Sequence, residues 1–78
     1  MSSSMAYVPE PIHLHAQHIG DGLIRVVRGD EMIVQSNSTD FVKDSLHFLK
    51  TSGVHPDCSV TILGVCGNVS YSGALKHT

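Results

Sequence analysis

The segment STDFVKDSLHFLKTSGVHP, residues 38–56, is the part of this 78-residue chain whose apolar side chains recur with helical spacing. Ser38 is expected to cap the N-terminus of a helix. Gly53 is expected to end that helix in a left-handed conformation, before Pro56 prevents continuation. These signals predict a helix over about residues 39–52, which is too short to be stable without packing. Its apolar stripe consists of Phe41, Val42, Ser45, Leu46 and Leu49.

The segments on both sides of this helix have the alternation and the β-branched content typical of strands. Residues 12–18 alternate apolar and polar, and Gly29-Asp30 and Gly67-Asn68 each suit the turn of a hairpin. The order β-β-β-α-β-β predicts an α+β fold, a single antiparallel sheet with one helix packed on one face. The hairpins imply the pairs Arg28–Glu31, Val27–Met32, Val26–Ile33, Gly64–Tyr71 and Val60–Leu75.

The length of the chain allows one small core and therefore one domain. Residues 1–11 contain a serine run, Pro9 and Pro11, and are expected to form a flexible N-terminal tail. Residues 12–78 are expected to form a single small α+β domain. A domain of this size gains stability from a staple, a metal or a partner subunit.

The charge and the hydropathy of the chain argue against two classes of partner. The formal net charge is −2 with 5 Lys and Arg residues, and no basic cluster offers a phosphate footprint, so no direct nucleic-acid partner is expected. No apolar stretch approaches the roughly 20 residues of a membrane span, and the N-terminus lacks a signal-peptide pattern. We therefore expect a cytoplasmic protein, in the cell that produces or hosts it.

The cysteines give no indication of a disulfide or of a nucleophile. If Cys58 and Cys66 lie on one extended strand, their Cα atoms are about 27 Å apart, far beyond the roughly 7 Å limit for a disulfide. Neither cysteine lies at a helix start or beside a basic cluster that would activate it. We also find no defensible pair of carboxylates, and we expect no enzymatic activity and no cofactor.

Histidine is the one unusual component of the composition, with six residues. His13 and His15 lie two apart on a predicted strand, so their rings project from one face, roughly 7 Å apart. Such a pair can begin a zinc site, and a solvent-facing strand that happens to use histidine is the alternative. The count also leaves open a response to pH. Candidates for further ligands are His18, Asp21, His55 and Cys58.

The expected function is non-catalytic protein binding, because the first hairpin is apolar on both faces while the core is small. Exposed apolar strips of this kind usually mark a partner or a self-association surface. Homodimerisation through a face or an edge of the sheet would cover it, and the protein partner is otherwise unidentified. The expected partner-binding residues are Arg25, Val27, Arg28, Asp30, Glu31, Met32, Val34, Asp40, Asp44 and Phe48.

In format, the chain resembles the very small phage-encoded proteins that block host defences, anti-CRISPR proteins among them. The resemblance rests on a short acidic chain with one helix, and it covers no particular residue. It implies a viral or mobile-element inhibitor that acts by steric occlusion of its host target. The alternatives are a metal-binding protein built on His13 and His15, or a structural or assembly subunit. The acidic residues expected to face basic residues of a target are Asp21, Asp30, Glu31, Asp40 and Asp44.

Overall fold

A computed structural model describes residues 9–77 of the chain, so most of the predicted N-terminal tail (residues 1–8) lies outside the described residues. The described part has the predicted order of elements, and the α+β class is confirmed. In chain order, the elements are β1 (Ile12–Gly20), β2 (Leu23–Arg28), β3 (Glu31–Asn37), α1 (Phe41–Thr51), β4 (Ser59–Leu63), β5 (Val69–Ala74) and a 3₁₀-helix (Leu75–His77).

The five strands form one mixed sheet in the order β3-β2-β1-β4-β5. All neighbouring strands are antiparallel in the predicted sheet, but β1 and β4 run parallel in the structure. The reason is the crossover through α1, which returns the chain to the end of the sheet at which β3 began. Strand β4 therefore runs in the direction of β3 and β1, and it pairs with the free edge of β1, which makes β1 the central strand.

The start of α1 differs from the predicted cap at Ser38. The helix begins at Phe41, and Asp40 precedes it without a capping hydrogen bond from its side chain. The chain is instead turned by Asn37, whose Oδ1 accepts hydrogen bonds from the backbone N–H of Thr39 at 2.9 Å and of Asp40 at 2.8 Å. An Asx turn of this kind competes directly with capping by a neighbouring serine.

The end of α1 follows the prediction. Gly53 has a φ of +84°, and its N–H donates to the carbonyl of Lys50 at 3.2 Å, while the N–H of Val54 donates to the carbonyl of Leu49 at 3.1 Å. These two bonds are the Schellman closure that the Gly53–Val54 pair indicates in the sequence. Val54 is half-buried and packs against the core.

The core lies between α1 and one face of the sheet. Ser45 is fully buried in α1, and its hydroxyl donates to the carbonyl of Phe41 at 2.6 Å, so a small satisfied polar residue stands where the helix meets the sheet. The helix packs mainly against β3 and β2. The buried apolar residues of the core are Ile12, Leu14, Ala16, Ile24, Val26, Leu46, Leu49, Cys58, Val60, Ile62 and Leu75.

The first hairpin has the predicted register near its turn, where Arg28 pairs with Glu31 and Val27 with Met32. The third predicted pair is wrong, because the register shifts between Val26 and Val27 and Val26 pairs with Val34. The shift has a consequence for the surface, since a bulge changes which side chains share a face. It leaves Met32 beside Val27 and turns Val34 toward the helix.

The second hairpin has a different register from the predicted one. Tyr71 pairs with Ile62 rather than with Gly64, and Val60 pairs with Gly73 rather than with Leu75. The tyrosine ring does lie against a glycine, but that glycine is Gly73, where an added Cβ would be 3.5 Å from the Tyr71 hydroxyl oxygen. That hydroxyl donates to the carbonyl of Ala74 at 2.9 Å, which fixes the ring.

Candidate binding surface

The face of the sheet opposite α1, here called the uncovered face, has β1 at its centre. On this strand Ile12, Leu14 and Ala16 point into the core, and the residues between them point away from the helix. His13, His15 and Gln17 are therefore displayed together on the uncovered face, and all three are exposed. The predicted half-buried alternation of this strand is confirmed.

The strands beside β1 give His15 an apolar setting. In the register of the sheet, His15 is opposite Val27 of β2 on one side and opposite Leu63 of β4 on the other. Val27 is only 9% exposed and Leu63 is half-buried, although no helix lies over them in the described structure. His13 is opposite Thr61 in the same way.

Larger apolar side chains lie toward the margins of the uncovered face. Met32 is opposite Val27 and is 52% exposed, and Val69 is opposite Leu63 and is also exposed. Leu23 follows the alternation of β2 and is exposed as well. A shallow depression of about 260 Å³ lies near the β2–β3 turn. It is lined by Gln17, Arg25, Val27, Gly29, Asp30 and Met32. The uncovered face thus has a polar centre and apolar margins.

The ten residues expected to bind a partner do not share one surface. Arg25, Val27 and Met32 lie on the uncovered face, and Arg28, Asp30 and Glu31 lie at or beside the β2–β3 turn. Val34 is half-buried and packs against the core, so it is directed toward the helix. The remaining three belong to the helical side of the molecule: Asp40, Asp44 and Phe48.

Asp44 has a structural partner. It is half-buried, and its Oδ2 accepts a hydrogen bond from the hydroxyl of Ser36 at 2.5 Å. Ser36 lies on β3 and is itself buried. The bond joins the helix to an edge strand, and a carboxylate used in this way contributes to the position of α1.

A second surface, not predicted from the sequence, is a groove of about 740 Å³ between α1 and β5. It forms because α1 lies toward β3 and leaves the β5 side of the covered face open. Val42, Leu46 and Tyr71 supply apolar lining, and Lys43 and His47 supply polar lining from the helix. The spacing of Lys43, His47 and Lys50 along one helical stripe is the sequence signal that could have indicated this wall.

The two thiols differ in environment. Cys58 is 2% exposed, and its Sγ donates to the carbonyl of Glu10 at 3.2 Å, whereas Cys66 is exposed; both are free. A pocket of about 740 Å³ beside Cys58 is lined in part by Arg28 and His55. The Nδ1 atom of His55 accepts from the backbone N–H of Asp57 at 3.0 Å, so that nitrogen is engaged locally.

An ion pair closes the loop before β4. The Lys76 ammonium lies 2.9 Å from a carboxylate oxygen of Asp57, and both side chains are more than half exposed. The hydrogen bond and the positive charge of Lys76, with a smaller contribution from His55, hold the pKa of Asp57 below its ordinary value. The pair lies at the end of the sheet and away from the centre of the uncovered face.

Within the described part of the chain, no three His, Cys, Asp or Glu residues lie close enough together to hold a metal ion. His13 and His15 thus form a pair without a third donor from the same copy among these residues. In this same part of the chain, no helix is both long and apolar enough to cross a membrane.

The fold and this surface define a small two-layer α+β domain with one uncovered sheet face. Comparison of the chain with protein-family models, with curated proteins and with solved structures gave no match. A function for the chain must therefore be inferred from the chemistry of its described residues.

Proposed function

We propose that this chain is a non-catalytic, cytoplasmic protein-binding module and that the uncovered face is its docking surface. The observation that carries the proposal is the exposure of Met32, Val69 and Leu23, which are 52%, 62% and 42% exposed on a face that no helix covers in the described structure. Together with half-buried Leu63, these side chains offer apolar contact area that the core does not use.

The proposed occupant of this face is a second copy of the chain. A two-fold dimer covers the same surface on both copies and needs no other partner. In such a dimer Met32 and Leu63 would bury apolar area, and the central histidines and Gln17 would need polar partners from the other copy, because an interface centre is desolvated. The small core of the 78-residue chain gives the dimer a further reason to form.

In the wider proposal, the dimer acts on a host target by steric occlusion, as the resemblance in format implies. A module of this kind needs a rigid surface of the right shape and no reacting group. Support comes from the position of the surface on the central strands of a hydrogen-bonded sheet, where side chains are held more firmly than on loops.

The experiment compares Met32→Glu with Phe48→Glu by sedimentation equilibrium at tens of micromolar chain. Both residues are exposed apolar residues, but Met32 is on the uncovered face and Phe48 is on α1. We expect Met32→Glu to raise the dimer dissociation constant by at least about tenfold, because a carboxylate would be desolvated in the interface. Phe48→Glu should leave it unchanged.

The reverse result, with Phe48→Glu alone breaking the dimer, would move the interface to the helix and overturn the assignment of the face. A wild-type chain that stays monomeric throughout this concentration range would overturn self-association. Circular dichroism of both variants serves as the check that the fold is retained.

A further inference from the structure

We propose that the uncovered face binds one Zn²⁺ ion between two copies of the chain, held by His13 and His15 of each copy. This inference rests on the proposed function, since it uses the same face and the same second copy. It assigns a chemical role to the polar centre of that face.

The donors fit the requirement for zinc in kind and in number. Structural zinc sites in proteins take four ligands in a tetrahedron, and imidazole nitrogen is a preferred one. One copy offers two exposed imidazoles on one face, and the described residues of that copy supply no third donor nearby. A two-fold axis between the two pairs doubles the set to four, so the site is incomplete without the partner copy.

The spacing of His13 and His15 also fits an ion shared by both imidazole rings. Residues two apart on a strand have Cα atoms roughly 7 Å apart, so an ion shared by both rings lies above the midpoint, about 3.5 Å sideways from each Cα. With a Zn–N bond of about 2 Å, a metal on the outer imidazole nitrogen lies about 6 Å from the Cα atom. The ion is then about 5 Å above the strand.

Two copies that share this ion therefore have their sheets about 10 Å apart, which is the spacing at which sheets normally pack face to face. Zinc ligation and apolar contact thus require the same separation. Because β1 is the central strand, the shared ion would lie in the middle of the two packed faces.

The surroundings of the pair favour an ordered site. Val27 and Leu63 lie on either side of His15, so dimerisation would enclose that side of the ion with apolar side chains, and the hydroxyl-bearing Thr61 lies beside His13. The charged side chain on the neighbouring strands of this face is Arg25, which is opposite Gln17. Arg25 is thus beyond His15 and not beside His13, so it is not directly opposite either histidine.

The test uses the full chain without a histidine tag, titrated with ZnCl₂ or CoCl₂ and compared with the EDTA-treated protein. We expect one metal per two chains by calorimetry, and a dimer dissociation constant lowered at least about tenfold by Zn²⁺. Co²⁺ should give the intense visible absorption of a tetrahedral site.

The double variant His13→Asn/His15→Asn should lose metal binding, and its dimer dissociation constant should no longer respond to Zn²⁺. His18→Asn is the matched control, since His18 lies on the same strand but alternates with Gln17 and is opposite Ile24. That variant should behave as the wild type does.

Three results would overturn the zinc site: no binding at micromolar Zn²⁺, one metal per chain without a change in dimerisation, or equal loss in His18→Asn. If the metal-free dimer persists and responds to Met32→Glu in these cases, the proposed function stands and the zinc site alone fails. A chain that is monomeric both with and without zinc would overturn both.

Discussion

The two faces of the sheet are built from the same strands and differ in alternate residues. On β1, Leu14 is 1% exposed beneath the helix, and its neighbours His13 and His15 are exposed on the other side. The covered face is filled by aliphatic side chains, and the uncovered face has a polar centre with apolar margins. The covered face thus contains the core, and the uncovered face displays the side chains on which the proposed binding role rests.

On β2, the neighbouring residues Val26 and Val27 lie on opposite faces of the sheet. Val26 is fully buried by the helix and the sheet, which is expected for a core residue. Val27 is almost as buried at 9% exposure, although it lies on the face that the helix does not reach. Its burial comes from neighbouring strands, so the apolar area open to a partner on this face belongs to its neighbour Met32, which is 52% exposed.

The largest predicted difference in stability between the two faces is between Leu14→Ala and His15→Ala. Leu14 is a core residue of the central strand β1, so truncation should lower the free energy of unfolding by about 2–5 kcal/mol. His15→Ala, one residue away on the uncovered face, should change it by less than about 0.5 kcal/mol. Urea denaturation of both variants, below the concentration at which the chain dimerises, measures the difference.

Equal losses for the two variants would show that the two faces contribute alike to folding. In that case the uncovered face would be part of the stabilising core, and its assignment as a binding surface would lose its main support.

Most of the fold could be predicted because its signals are local. The stripe of α1, the Gly53 closure and the first hairpin turn each depend on residues within one or two turns of chain. The parallel pairing of β1 with β4 could not be predicted this way, since it joins segments more than forty residues apart and depends on the path of the crossover.

The candidate surface was predicted only in part, for the same reason. Alternation on β1 places His13 and His15 on one face, and the β2–β3 turn places Met32 beside Val27. Leu63 and Thr61 reach the histidines only through the β1–β4 pairing. Sequence periodicity cannot show which way a helix lies on a sheet, so it could not separate Asp44 and Phe48 of α1 from the residues of this surface.

A smaller effect is expected from Ser36→Ala, which tests how the helix is held on the covered face. The substitution removes the hydroxyl that donates to Asp44 and leaves a half-buried carboxylate without that donor. We expect a loss of about 1–2 kcal/mol in the free energy of unfolding. Ser72→Ala, at an exposed position opposite Thr61, is the matched control and should cost less than about 0.5 kcal/mol.

If Ser36→Ala is as neutral as Ser72→Ala in urea denaturation, the bond between β3 and α1 does not position the helix. The apolar stripe of α1 would then be sufficient to hold it on the sheet.

The smallest effect is expected at the ion pair at the end of the sheet, which belongs to neither face. Lys76→Ala should raise the pKa of Asp57 toward its ordinary value, measurable by NMR titration of its carboxyl carbon, because Lys76 is the main cause of the lowering. Lys43→Ala removes the same charge from α1 and should leave this pKa in place.

The direction of the pKa shift sets the sign of the linked stability change. Because folding lowers the pKa of Asp57, the pair stabilises the fold above the unfolded pKa, near pH 4, and this contribution is lost as the pH falls through the folded pKa. The free energies of unfolding of the wild type and of Lys76→Ala should thus differ slightly at pH 7 and become equal in acid. This difference should shrink in high salt, because both side chains of the ion pair are more than half exposed. A difference that grew on acidification would mean that Lys76 stabilises the end of the sheet by packing rather than through its charge.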